Sequence, residues 1–174
     1  MKKIETKNVI LREFVIEDAK KAYKNWAGVE EIAEKTDFCV HSSVEETKEI
    51  IKRGLGGENE DVCTWAIVLK ENMEPIGFIR IYEISENNKT CKLTWAIGKK
   101  WWGKEISEEA IKEIINYCFE EKKMNVISST YYSNIEELRS PILEKVGMKR
   151  EAVLKNGKIE DGKFLNKIIY SIIN

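Results

Sequence analysis

The chain has 174 residues and a formal net charge of −1, with 29 basic and 30 acidic side chains nearly cancelling. That length suits one domain with a substantial core, and the charge balance excludes a protein that holds nucleic acid through basic excess. No apolar run approaches the roughly 20 residues that cross a bilayer, and no apolar stretch follows Lys2 and Lys3, so a cytoplasmic protein, monomer or homodimer, touching neither DNA nor membrane is expected.

In chain order, Asn8–Phe14 reads as a strand, and Asp18 caps or opens a helix that carries Ala19, Ala22, Tyr23 and Trp26 and ends near Gly28. Residues 28–41 read as irregular. Ser43 and Glu46 form a candidate capping box for a second helix with Val44, Ile50, Ile51 and Leu55, closed by Gly54, Gly56 and Gly57. Thr64–Leu69 and Ile76–Tyr82 are strand-like, and the short link between them predicts an antiparallel hairpin. A third strand, Thr90–Ile97, extends the meander. A helix over Lys104–Lys123 then crosses to a strand at Val126–Tyr131. Ser140-Pro141 starts another helix that Gly147 ends. Strands around Lys149–Leu154 and Phe164–Ile172 follow, separated by Asn156-Gly157 and Asp161-Gly162. The pattern predicts a single α+β domain over residues 1–174, its mixed, mostly antiparallel central sheet flanked by helices.

The passage from Thr90 to Phe119 carries the chemistry. Leu93-Thr94-Trp95-Ala96-Ile97 runs into the turn Gly98–Lys104, and apolar Ile106, Ala110, Ile111, Ile114, Ile115, Cys118 and Phe119 then make one helical stripe. A glycine at the mouth of a buried helix leaves backbone N–H groups unpaired at its positive end, which is an anion site suited to phosphate. Lys99, Lys100 and Lys104 add positive charge. By contrast, Cys39, Cys63, Cys91 and Cys118 form no Cys-x-x-Cys pair and read as reduced, half-buried residues. The single histidine, His41, has no nucleophile-elbow context, so neither metal nor triad chemistry is expected.

The run Lys100-Trp101-Trp102-Gly103-Lys104-Glu105-Ile106-Ser107-Glu108-Glu109-Ala110 resembles the pyrophosphate loop of the GNAT superfamily of N-acetyltransferases, and is most similar to the branch that acetylates ribosomal-protein N-termini. It departs at Glu105, where that loop has a second Gly or Ala, at Lys100, which replaces Gln or Arg, and at Ser107, which replaces a frequent Ala. The opening also resembles that branch, with Arg12 at its second Arg, an Asp six residues on at Asp18, and Asn8 in place of its first Arg. The resemblance implies a GNAT-like fold and acetyl-CoA as cosubstrate, with no metal. Ile97, Lys99, Lys100, Trp102, Gly103, Lys104, Glu105, Ile106 and Ser107 would then hold the cosubstrate. Asn134 is implied as a hydrogen-bonding partner of the pantetheine arm, because the segment to Leu143-Glu144-Lys145-Val146-Gly147-Met148 resembles the family's Asn-x-x-Ser stretch, although two residues longer.

A backbone N–H at a bulge near Ile97 is implied as donor to the thioester carbonyl, and Tyr131 or Tyr132 as acid for the leaving thiolate. Relatives often carry a Glu where this chain has Lys92, which leaves Glu83 and Glu86 as nearby candidate bases. A site without a strong base suits an α-amine, with its pKa of about 7.7–8.0, better than a lysine amine at about 10.4. The expected function is direct acetyl transfer from acetyl-CoA to a primary amine, foremost a protein or peptide N-terminus. A polyamine or aminoglycoside-type acceptor, drawn by Glu30, Glu31, Glu34 and Asp37, and a degenerate acetyl-CoA-binding sensor are the alternatives.

Overall fold

The computed structural model describes residues 1–33, 38–54, 62–133, 140–160 and 162–174. In chain order its elements are β1 (Ile4–Glu5), β2 (Val9–Arg12), α1 (Ala19–Ala22), α2 (Glu30–Ala33), α3 (Val44–Lys52), β3 (Cys63–Leu69), β4 (Pro75–Ser85), β5 (Thr90–Ile97), α4 (Ile106–Glu120), β6 (Val126–Ser133), α5 (Ser140–Lys145), β7 (Lys149–Glu160) and β8 (Lys163–Ile173). The strands form one sheet in the order β1-β2-β3-β4-β5-β6-β8-β7. Every neighbouring pair is antiparallel except β5 and β6.

Strand alternation builds two cores. Leu93, Trp95 and Ile97 of β5 join Trp65, Ile67, Ile79 and Ile81 beneath the stripe of α4, of which Ala110, Ile111, Ile114 and Cys118 are fully buried. On the other face Phe78 and Ala96 pack against Ala22, Trp26, Ala27 and Ile32. Of the five tryptophans, Trp65, Trp95, Trp101 and Trp26 are core residues and Trp102 is partly exposed.

The structure corrects several expectations. Asp18 does not cap α1. Its carboxylate takes both ends of the Arg12 guanidinium at 2.7 and 2.8 Å and the Val15 N–H at 3.0 Å, pinning β2 to the first helix, and this hydrogen bonding holds Arg12 above its ordinary pKa. Residues 28–41 are not wholly irregular, since α2 forms one turn there, and α1 runs on into a wider π turn over Tyr23–Ala27. Ser43 caps α3 as expected, accepting from Glu46 N–H at 3.1 Å, but Glu46 reaches back to Ser42 rather than Ser43. The predicted helix Lys104–Lys123 is trimmed to Ile106–Glu120. Asn156-Gly157 does not end β7. Asn156 takes φ +56° where the register shifts between Leu154 and Lys158, so the pair forms a bulge inside a longer strand. The cysteines are free, but Cys91 and Cys118 are fully buried and Cys39 is exposed. Leu55, Gly56, Gly57 and Asp161 lie outside the described residues.

Candidate active site

β5 and β6 pair only at Thr90↔Val126, Cys91↔Ile127 and Lys92↔Ser128. Both strands run on, β5 to Ile97 and β6 to Ser133, so the sheet splits beyond Lys92 into a gap roughly 16 Å long. Gly98 N–H bonds Ile76 O at 2.8 Å, which fixes the phase of the ladder. Residues 94 and 96 therefore bond β4, and the backbone groups of Leu93, Trp95 and Ile97 are directed to the gap. The register from Gly77↔Ile97 to Tyr82↔Lys92 is unbroken, so the bulge expected near Ile97 is absent and that amide owes its direction to plain alternation.

The open end of the gap meets the start of α4. Trp101 is buried, and Trp102 donates from Nε1 to Ile97 O at 2.9 Å, locking the turn to the strand end. Gly103 has φ +73°, and a Cβ there would meet nothing within 4 Å. No side chain caps α4 at Glu105, and the first helical bond is Glu109 N–H to Glu105 O at 2.9 Å. The amides of Ile106, Ser107 and Glu108 therefore precede the helical ladder. The Ser107 side chain is buried and Glu105 is exposed. A cleft of about 650 Å³ opens on the flank away from the gap, bordered by Lys7, Lys70, Lys100, Lys104 and Glu105.

Charges around this turn are mostly engaged. Lys99 pairs with Glu31 of α2 at 2.7 Å, and Lys100 lies over the Trp101 ring at 5.1 Å. Lys145 of α5 pairs with Glu108 at 2.7 Å, a contact that raises its pKa, with Glu105 adding to the effect. Glu109 does not face the turn mouth. It accepts from Asn8 N–H and Asn8 Nδ2, both at 2.7 Å, and from the Thr6 hydroxyl, tying the β1–β2 turn to α4.

The two tyrosines point to opposite faces. Tyr131 is buried on the α4 side, stacked on Tyr170 at 6.4 Å, whereas Tyr132 lies beneath Lys158 Nζ at 4.9 Å. Glu83, on β4 and so across β5 from the closed end of the gap, is ion-paired with Lys92 at 2.5 Å. Glu86 lies exposed in the β4–β5 turn, apart from the gap's open end. His41 bonds the Thr47 hydroxyl at 3.0 Å, and burial lowers its pKa. Asn134, Glu34 and Asp37 lie outside the described residues.

Two residues escaped the sequence reading. Arg80 lies half-buried on the face opposite α4, its Nε donating to Thr64 Oγ1 at 3.0 Å and its guanidinium over Phe78, and burial lowers its pKa. An arginine inside an apolar strand run was its signal. Lys145 had none, because its partner Glu108 is 37 residues away.

A split sheet with an uncapped, glycine-fronted helix at its mouth is an architecture with known counterparts. The family description "acetyltransferase (GNAT) domain" matches residues 8–149. The chain belongs to the GNAT acetyltransferase family. It is 22% identical over 178 residues to an uncharacterized N-acetyltransferase, p20, of Bacillus licheniformis, covering 99% of this chain and 97% of that protein. Its fold is similar to the ribosomal-protein-S5-alanine acetyltransferase of Vibrio fischeri, with TM-score 0.84 at 17% identity over 100% of this chain and 97% of that one. It is also similar to the spermidine N-acetyltransferase of Vibrio cholerae solved with CoA and spermine, with TM-score 0.79 at 15% identity over 95% of each chain. GNAT enzymes use acetyl-CoA, and the residues present fit a diphosphate, since Gly103 leaves its approach open and the α4 amides carry no side-chain cap.

Proposed function

We propose that this N-acetyltransferase moves acetyl from acetyl-CoA directly onto the α-amine of a protein or peptide. The observation that carries the reading is the uncapped start of α4 behind Gly103, tied by Trp102 to the end of β5, where β5 and β6 have parted. The diphosphate of the cosubstrate is held by the amides of Ile106 and Ser107, with Lys104 adding charge, and the thioester arm follows the inward amides of Ile97 and Trp95. An N–H in that row polarises the carbonyl, and Tyr131, on the α4 face, is the proton donor to the departing sulfur.

The α-amine is favoured over a polyamine by the charges on the acceptor face. Glu31 and Glu83 are each neutralised there by a lysine, Lys99 and Lys92, and Arg80 lies on the same face over Phe78, which is a poor setting for a dication or trication. The likeness to a spermidine enzyme keeps the polyamine as the second reading.

The test is a calorimetric titration with acetyl-CoA followed by an acceptor screen read by free thiol. Thiol release on peptides with free N-termini and not on spermidine supports the proposal. Release on spermidine alone replaces the acceptor, and binding without release on any amine replaces the enzyme with a sensor.

A further inference from the structure

Opposite the closed end of the gap, β4 breaks step with β5. Tyr82 faces Lys92 and the next partners are Ser85 and Thr90, so Glu83 and Ile84 together oppose Cys91 alone. Glu83 carries the bulge at φ +49°, a left-handed conformation that glycine or asparagine adopts at much lower cost. Strained non-glycine backbone of this kind persists where the surroundings enforce it, often at functional sites. Here the bend delivers a carboxylate to Lys92, the last β5 residue paired with β6, with Oε2 2.5 Å from Nζ. The Lys92 ammonium also lies over the Tyr82 ring, 5.9 Å from its centre.

The pair is placed on the acceptor's side. Leu93, Trp95 and Ile97 face α4, so alternation sends Lys92 to the opposite face with Ala96. A thioester threaded through the gap from the α4 side presents its carbonyl to that face at the vertex. The Glu83 side chain is 60% exposed, open to an arriving amine.

We propose that Glu83 is the proton acceptor for the attacking amine and that Lys92 is the positioning residue that aims it, an assignment that rests on the acetyltransferase reading above. The amine nitrogen forms a bond to the acetyl carbon. The C–S bond breaks with its electron pair on sulfur, and the proton shed by nitrogen passes to the Glu83 carboxylate and on to solvent. Sulfur leaves as thiolate and takes a proton from Tyr131 or water. Lys92 transfers no proton; its ion pair directs the carboxylate at the vertex.

Steady-state kinetics on the acceptor identified by the screen, with calorimetric acetyl-CoA affinity alongside, tests the pair. Wild-type turnover in the same assay tests the transferase reading, so a silent wild type overturns that reading and this one with it. With an active wild type, Glu83→Gln is expected to lower kcat about 100-fold or more and leave acetyl-CoA affinity within about twofold. Lys92→Met is expected to lower kcat roughly tenfold, Lys92→Arg to restore it, and the charge swap Glu83→Lys/Lys92→Glu to recover at least about tenfold over either single reversal. Glu83→Gly separates function from folding, because relief of the left-handed strain raises Tm while turnover falls. Unchanged kcat in Glu83→Gln, a loss confined to acetyl-CoA affinity, or a Lys92→Met enzyme equal to wild type overturns the proposal.

Discussion

Gly103 and Glu105 stand two residues apart at the mouth of α4, where the diphosphate is proposed to lie, and would act on it in opposite ways. The left-handed φ of Gly103 and the empty space around its missing Cβ make Gly103→Ala costly for the backbone alone. A loss of about 1–2 kcal/mol in thermal or urea unfolding is expected, together with weaker acetyl-CoA binding, because the new methyl enters space the diphosphate needs. Glu105 was the residue most at odds with the loop's usual pattern. Its side chain turns to solvent and adds to the field on Lys145, so its repulsion of phosphate is softened and not abolished. Calorimetry on Glu105→Gln is expected to show acetyl-CoA binding about two- to fivefold tighter, from removal of roughly 0.5–1 kcal/mol, with the larger gain at low ionic strength.

At the level of elements, α4 is held at both flanks of its first turns, by Thr6 and Asn8 on one side and Lys145 on the other. For Glu109, burial pushes the pKa up, but the hydrogen bonds from Asn8 and Thr6 outweigh it and the net shift is downward from 4.5. A lowered folded pKa means the stabilisation is complete above the ordinary carboxylate range and is lost as pH falls through the folded value. Melting curves of Glu109→Ala should therefore show a loss of about 1–3 kcal/mol at neutral pH, and the difference from wild type should close under strong acid.

The meander β3–β5, the helix α4 and the glycine turn before it were legible because apolar period and glycine placement are local signals. The same locality explains the misses. Asn156-Gly157 reads as a turn from its own chemistry, and only the pairing with β8 makes it a bulge. Asp18 reads as a cap until Arg12, on the preceding strand, claims its carboxylate. The Glu83–Lys92 contact depends on a register break that no periodicity announces.

Over the whole molecule, the sheet is continuous except where β5 and β6 part, and there the two halves share only three residue pairs. A cosubstrate that lies along the gap contacts both halves and bridges the seam where they part. At a hundredfold excess over Kd, acetyl-CoA stabilises the folded state by about 2.7 kcal/mol, which for a chain of 174 residues corresponds to roughly 5–10 °C in Tm. A scanning fluorimetry series is expected to show that rise for acetyl-CoA and CoA, and a much smaller one for free acetate.

β8 lies between β6 and β7 although it follows both in sequence. While the chain emerges from the ribosome, β6 therefore waits with its outer edge bare, and β7 has no neighbour at all. Two of the sheet's seven pairings, β6 with β8 and β8 with β7, close only when Lys163–Ile173 slides into the slot. A nascent or truncated chain lacking that segment displays sticky strand edges to its surroundings, so such fragments should collect in inclusion bodies or on chaperones.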